Sequence, residues 1–246
     1  MIPEGFKTAT ELWEEEKNEE IVPTGVELLD LSLSGGGLKP GSIYEVVGES
    51  SVGKSQLCFQ ICANVTRNRR RNEVLYIDTE GSFRTERIVQ IAKERDASAS
   101  ETRILSSIKQ CRSTDAVELS SALNQATRIA ESNPRIGLVV LDSIAFPIRV
   151  EPESERRKTL VTSVAQQLLK FALDLRCIVL VVNQVTTEMS GTLKSALGSS
   201  WSHRCTVRFW MVAGRDGAKS LHITKSPFDP LKEILYKITT AGVVSL

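Results

Sequence analysis

Four stretches of this sequence are nearly continuous runs of Val, Ile and Leu: "SIYEVVG" (42–48), "EVLYID" (73–78), "IGLVVLD" (136–142) and "CIVLVVNQ" (177–184). Such runs are the mark of parallel strands covered on both faces. Between them the apolar residues take a helical period. Leu57, Ile61 and Val65 share one face within 54–67, and Leu160, Val164, Leu168, Phe171 and Leu175 share one within 155–175. Strand and helix in alternation predict an α/β layered domain on a parallel sheet. After residue 200 the pattern changes to short strands, "TVRFWMV", "SLHIT" and "EILYKIT". The first two are joined by "GRDGAK" with its turn-forming Asp-Gly, so antiparallel strands are expected to extend the sheet. "TGVE" (24–27) has the Thr-x-x-Glu form of a capping box and predicts a short helix ending at Gly35, Gly36 and Gly37.

With 246 residues, 41% hydrophobic and 25% charged, the chain can bury one sizeable core, and one domain is the default expectation. The start, "MIPEGFKTATELWEEE", has neither a basic stretch nor an apolar run, and no segment approaches the roughly 20 apolar residues that span a bilayer. Neither secretion nor a membrane partner is expected. Five cysteines without a C-x-x-C pair, and two histidines, leave no ligand set spaced for zinc. Cys58 and Cys62 fall one helical turn apart beside Leu57, Ile61 and Val65 and read as core residues, which fits a reducing compartment. A net charge of +1 argues against a broadly basic nucleic-acid binder and leaves room for local basic loops.

"GESSVGKS" matches G-x-x-x-x-G-K-[ST] with Gly48, Glu49, Ser50, Ser51, Val52, Gly53, Lys54 and Ser55, followed by Gln56. In that pattern backbone N–H groups surround phosphates, the Lys reaches the terminal groups, and the hydroxyl meets Mg²⁺. A strand ends at Val47 and a helix begins at Lys54, the context that places phosphates at a helix N-terminus. ATP and Mg²⁺ are the expected cofactors. A carboxylate near the metal is also needed, and Asp142 ends the third apolar run. Just past another strand, "YIDTEG" offers Glu80 to orient or deprotonate water. Gln184 reaches the same sheet edge, where an amide can sense the γ-phosphate without titrating.

The segments "GFKTATELWEEE", "TGVELLD", "GGGLKPGSIYEVVGESSVGKSQLC", "YIDTEGSFRTERI", "LVVLDS" and "VVNQV" occur in an order and spacing that resembles the eukaryotic RecA-type recombinases. "ALGSSWSHRCTVRFW" and "TKSPFDP" look most like the recombinase paralogues, the accessory members of that family. The resemblance covers essentially the whole chain. It implies a RecA-like P-loop ATPase core with a mostly parallel central sheet over residues 23–246, preceded by a tail at 1–22. It also implies that Glu80 is the catalytic base, that Lys54 and Gln184 act with it, and that Gln184 couples nucleotide state to a DNA loop. Arg87 is similar to the residue that stacks on adenine. His203 and Pro230 would serve a neighbour's nucleotide, because ATP in this family sits between protomers. For His203 a surface imidazole is an equally good reading. "FKTA", Phe6 to Ala9, resembles the polymerisation segment that adds to a neighbour's sheet and plants Phe6 and Ala9 in pockets, against the alternative of a Phe folded onto its own domain.

Two candidate DNA loops follow by the same resemblance. "IRVEPESERRK" carries Arg149, Arg156, Arg157 and Lys158, interleaved with Glu151, Glu153 and Glu155, so a solvated helix start fits nearly as well. "TTEMSGTLKSALGSS" (186–200) has Lys194 as its only cation and no aromatic for base stacking until Trp201. "RNRRRNE" (67–73) reads as a polar loop between helix and strand, with added attraction for DNA as the alternative. The recombinases carry a helical domain before the "GF-TA" segment, and this sequence starts almost at that segment. The expected role is an ATP-binding paralogue in homologous-recombination repair, acting in the nucleus. It would bind single-stranded DNA or recombinase filament protomers and other paralogues, stabilise filaments, and hydrolyse ATP slowly. The alternatives are a stand-alone DNA-stimulated ATPase or strand-exchange recombinase, and a structural subunit in which ATP glues an interface.

Overall fold

A computed structural model of the chain describes residues 6–187, 193–214 and 217–246. In chain order the elements begin with α1 (Ala9–Lys17), α2 (Glu27–Asp30), β1 (Ile43–Gly48), α3 (Lys54–Val65), β2 (Glu73–Asp78), α4 (Thr85–Arg95), α5 (Glu101–Ser107) and β3 (Ile108–Arg112). They continue with α6 (Ala116–Ser132), β4 (Ile136–Asp142), α7 (Ala145–Val150), α8 (Ser154–Leu173), β5 (Ile178–Asn183), β6 (Val185–Thr187) and β7 (Leu193–Ser195). The last are α9 (Gly198–Ser202), β8 (Val207–Ala213), β9 (Lys219–Lys225), β10 (Lys232–Thr239) and β11 (Gly242–Ser245).

Among the described residues, nine strands form one sheet in the order β11-β10-β9-β8-β1-β5-β4-β2-β3, and β6 pairs with β7 in a separate hairpin. The half from β8 to β3 is parallel, and β8 to β11 are joined antiparallel. This is the α/β fold with a mostly parallel sheet and antiparallel strands at the C-terminal end.

The four apolar runs are buried along their length, save Gln184 at the end of the last, because each lies between two helical layers. Successive side chains alternate between those layers. Tyr76, Val140 and Leu180 pack on one face with Leu57, Ile61 and Val65 of α3, while Leu75, Ile77, Val139 and Val181 pack on the other with Leu123 of α6 and Leu168 and Phe171 of α8. Cys58 and Cys62 are fully buried core residues.

The register aligns the carboxyl ends of the strands. Asp78 lies opposite Asp142, Asp142 opposite Val182, and Val47 opposite Asn183. Every loop leaving β1, β2, β4 and β5 therefore starts at one edge, where open α/β sheets place their ligands.

Three local readings differ from the sequence expectation. Thr24 and Glu27 make no capping box: Val26 is the N-cap of α2, and the Asp30 carboxylate instead accepts from the Thr24 N–H and hydroxyl and the Gly25 N–H. A carboxylate that reaches back over three donors outcompetes a single cap bond. The capping box forms at Thr8 and Glu11, opening α1. Of the basic stretch 148–158, α7 and α8 take up all but residues 151–153. "GRDGAK" joins antiparallel strands as expected, although Arg215 and Asp216 lie outside the described residues, as do 188–192 of the second candidate DNA loop.

Candidate functional site

The phosphate-loop motif folds as the turn between β1 and α3. Gly48 lies against β8, where a Cβ would come within 2.4 Å of the Met211 carbonyl oxygen. Gly53 has φ of 110°, a left-handed conformation that other residues rarely adopt, and a Cβ there would meet Ile238 at 2.6 Å. No side chain among the described residues caps α3. Its first-turn N–H groups thus lack partners within the helix, and together with the helix dipole they form a site for an anion. Lys54 bends back over the loop, its Nζ donating to the carbonyls of Gly48 at 2.8 Å and Glu49 at 2.6 Å. Burial holds the Lys54 pKa below the ordinary lysine value, while the Asp142 and Glu80 carboxylates pull the other way.

Asp142, at the end of β4, is 2% exposed. Its Oδ2 accepts from the Ser55 hydroxyl at 2.6 Å and the Tyr76 hydroxyl at 2.8 Å. Burial raises its pKa above the usual carboxylate value, against the two hydroxyl bonds, and the Glu80 and Asp78 carboxylates add to the rise. No group of three or more His, Cys, Asp or Glu side chains that could hold a metal occurs among the described residues. That is compatible with Mg²⁺, which takes oxygen ligands, keeps several waters, and needs one or two carboxylates beside substrate phosphates. A hydroxyl and a buried carboxylate in contact under a phosphate loop fit that donor set.

The raised pKa has a consequence for stability. The folded state holds the Asp142 proton more tightly than the unfolded chain does. The stabilisation this gives is full below the ordinary carboxylate value and is lost as pH rises through the raised folded value. Asp142→Asn keeps an oxygen acceptor without the buried charge. In the absence of nucleotide it is expected to raise the melting temperature at pH 7 but not at pH 3, at a scale of roughly 2–4 °C per kcal/mol for a chain this long. A lower melting temperature at pH 7 would contradict this account of the burial.

"DTEGSF" positions Glu80 by a clamp on Asp78. Asp78 Oδ1 accepts from the N–H groups of Glu80 at 3.1 Å, Gly81 at 2.7 Å and Ser82 at 3.2 Å, and Oδ2 accepts from Phe83 at 3.3 Å. Arg112 on β3 pairs with the same carboxylate at 3.2 Å. The Phe83 ring then packs on Tyr76, with centroids 4.8 Å apart, and edge-on to Phe59 at 6.0 Å. Between these two anchors the Glu80 carboxylate accepts from the Ser143 hydroxyl and, at 2.6 Å, from the Gln184 amide. Thr79 locks Ser143 in turn, donating to its carbonyl at 2.8 Å and accepting from its N–H at 2.7 Å.

Ser50, Ser51, Gly53, Lys54, Ser55 and Gln56 line one cleft of about 540 Å³ together with Glu80, Asp142 and Gln184. Val182 and Ile238 complete its wall. Arg87 sits at its margin through Gln56, whose Oε1 accepts from Arg87 Nε at 2.6 Å, and its other nitrogens donate to Gln90 and to the carbonyls of Thr239 and Thr240. Val52 is buried in the core, and its carbonyl accepts from the Tyr236 hydroxyl at 2.6 Å.

Other sequence-predicted residues lie apart from this cleft. Arg149, Arg157 and Lys158 line a second cleft of about 510 Å³ between α7, α8 and the β6–β7 hairpin. Arg156 pairs with Glu153 at 3.1 Å and Lys158 with Glu155 at 2.7 Å, in the manner of a solvated helix start. Lys194 is exposed on β7. Trp201 is fully buried, so its ring is not available for stacking on a base. Phe6 is 73% exposed, and Ala9 is the first residue of α1. His203 and Pro230 are exposed. In "RNRRRNE", the N–H groups of Arg69, Arg70 and Arg71 bind the Glu20 carboxylate, and the Arg71 guanidinium donates to the carbonyls of Ile136, Leu175 and Arg176.

Asp78, Tyr76, Ser143 and Thr79 were not singled out from the sequence, although each is within a few residues of a motif that was. Their signal is the type of residue beside the motif: a second Asp two positions before Glu80, and a hydroxyl next to Asp142.

A parallel sheet carrying a phosphate loop after β1, with carboxylates from β2 and β4 converging on it, defines a P-loop nucleotide-binding core of the RecA type. The Rad51 family model matches residues 17–246, and the chain belongs to that family. Rad51-family proteins are ATPases of DNA recombination and repair that bind ATP and Mg²⁺. No helix among the described residues is long and apolar enough to cross a membrane.

Proposed function

We propose that this chain is an accessory member of the Rad51 family, a recombinase paralogue that binds ATP with Mg²⁺, engages single-stranded DNA and recombinase filaments in the nucleus, and stabilises those filaments while hydrolysing ATP slowly. The observation that carries this reading is the bond between Gln184 and Glu80. Gln184 also ties the nucleotide cleft to the β6–β7 hairpin, since its carbonyl accepts from the Ala196 N–H at 2.8 Å. One residue thus touches both Glu80, the group that would act on water, and the hairpin that would meet DNA.

ATP with Mg²⁺ supplies a transferable γ-phosphoryl group. The residues of this chain would do the rest. The loop Gly48–Ser55 and the α3 N-terminus bind phosphate charge, and Lys54 leaves its two carbonyl partners for the terminal phosphates. Ser55 and Asp142 hold the metal, and Arg87 covers the base. Glu80, once it releases the Ser143 and Gln184 donors, orients a water and accepts its proton. Both donors neutralise the carboxylate as a base while they remain, which favours slow turnover.

For DNA, Arg149 and Arg157 in the second cleft, Arg156 beside Glu153, and Lys194 on the hairpin are the cations this reading would use. That is a thin complement for strand exchange by one chain and supports the accessory role. Exposed Phe6, Ala9, His203 and Pro230 would face other protomers, with residues 1–22 as the connecting tail of the core at 23–246.

Glu80→Gln tests the mechanism. Nucleotide affinity is expected to stay within about twofold of wild type, while DNA-stimulated turnover falls roughly 100-fold or more, the usual scale for a lost general base. Turnover close to wild type would remove Glu80 from that role.

A further inference from the structure

The turn that carries Glu80 is fastened to the end of an edge strand. Asp78 is nearly buried, and its carboxylate takes the N–H groups of residues 80 to 83. Arg112 pairs with Oδ1, the same oxygen that accepts from Glu80, Gly81 and Ser82. The guanidinium also covers the turn itself. Gly81 has φ of 76°, and a Cβ on it would come within 2.9 Å of Arg112 Nη1. The pairing of β2 with β3 sets Asp78 opposite Arg112, and the Ser113 N–H donates to the Asp78 carbonyl at 3.0 Å. An ion pair, a close packing and a backbone bond therefore join the end of β3 to the turn 78–83.

The Glu80 side chain is held by Ser143 and Gln184, and both must let go before it can act on water. Its reach is then set by the backbone that carries it. Arg84 donates to the Gly81 and Phe83 carbonyls, but it belongs to the turn and moves with it. Arg112 is anchored outside the turn, on β3, and can hold it against the sheet. A reacting group displaced by about 1 Å can cost roughly 100-fold in rate, so such an anchor matters to chemistry even where it adds little to stability.

We propose that Arg112 is a positioning residue for ATP hydrolysis: through Asp78 and Gly81 it holds the turn 78–83 so that the Glu80 carboxylate, freed of Ser143 and Gln184, meets the attacking water. This rests on the reading of Glu80 as the base. In that step the water oxygen bonds to the γ-phosphorus, the bond from phosphorus to the ADP oxygen breaks, and Glu80 takes the proton of the water. Arg112 is not among the described residues that line the nucleotide cleft. Its loss therefore acts on turnover and leaves nucleotide binding in place.

The test measures the single-turnover rate of ATP hydrolysis with an oligothymidylate, the Kd for a fluorescent ATP analogue, and the melting temperature. The proteins are wild type, Arg112→Ala, Arg112→Lys, Glu80→Gln and the double variant Arg112→Ala/Glu80→Gln. Arg112→Ala is expected to slow hydrolysis about 10- to 100-fold, the scale of a misplaced reacting group, with the Kd within about twofold of wild type. The Arg112 side chain is 43% exposed, so the variant is expected to fold; Arg112→Gln, which keeps donors without the charge, replaces it if it does not. Arg112→Lys keeps a cation for Asp78 and is expected to recover part of the rate. Because Arg112 acts through Glu80, the double variant is expected to turn over within about twofold of Glu80→Gln alone. A merely structural role would lower the melting temperature, weaken nucleotide binding and slow Glu80→Gln further by the same factor. An unchanged rate in Arg112→Ala, or that further loss in the double variant, overturns the proposal and leaves Glu80 in its role. No turnover in wild type, or a Glu80→Gln rate equal to wild type, overturns the reading of Glu80 as the base, and the proposal with it.

Discussion

Lys54→Ala loses at least about 100-fold in nucleotide affinity, on the order of 3 kcal/mol, the scale of two charge-assisted hydrogen bonds to phosphate. The size follows from the cleft's charges. Lys54 is the one cation among the described residues that line it, beside the carboxylates of Glu80 and Asp142. Without the ammonium group, the phosphates would have only the backbone N–H groups and the Mg²⁺ that Ser55 and Asp142 would hold to offset their own charge and that of Glu80. The fold has little stake in the residue. Among the described residues Lys54 bonds only to two loop carbonyls, and Ala in the first helical turn costs nothing in helix propensity. A fluorescent-nucleotide titration reads the result, and an affinity within a few-fold of wild type would remove the phosphate-grip assignment.

The second large effect is on stability. Arg208→Ala is expected to cost about 3 kcal/mol, the lower end for breaking a buried ion pair by removing one partner. Glu45 is fully buried and the Arg208 side chain is 13% exposed, so solvent screens the pair little. The lower end applies because Asn183, Trp201 and Cys205 still donate to the carboxylate. At roughly 2–4 °C per kcal/mol, the melting temperature falls by roughly 6–12 °C. Adding Glu45→Gln to Arg208→Ala removes the stranded charge and should recover part of the loss. A fall below about 2 °C in the single variant would show that the pair contributes only as an exposed one does.

Legibility in the sequence followed the range of the interaction. The four apolar runs were readable because burial on both faces leaves a local pattern. β3, "IKQCR", was not, since an edge strand with mostly exposed side chains carries no such run. The phosphate loop, Glu80, Asp142 and Gln184 could be named from motifs, and the register of β2, β4 and β5 explains why they share one cleft. Thr24-x-x-Glu27 misled because a short motif says nothing of Asp30, which takes the Thr24 N–H that the box would use and the Thr24 hydroxyl as well. Glu45 was invisible for the opposite reason. Within "SIYEVVG" it is a lone charge in an apolar strand, and its partners, Asn183, Trp201, Cys205 and Arg208, are brought to it only by the pairing of β1 with β5 and β8.

The central claim is that nucleotide bound at the Gly48–Ser55 loop lets this chain stabilise a recombinase filament. The most direct measurement is the lifetime of a recombinase filament on single-stranded DNA with a substoichiometric amount of this protein and ATP, set beside the Lys54→Ala variant. The account predicts a longer lifetime with wild type and none of that gain with Lys54→Ala. An unchanged lifetime with wild type, or an equal gain with the variant, would contradict it.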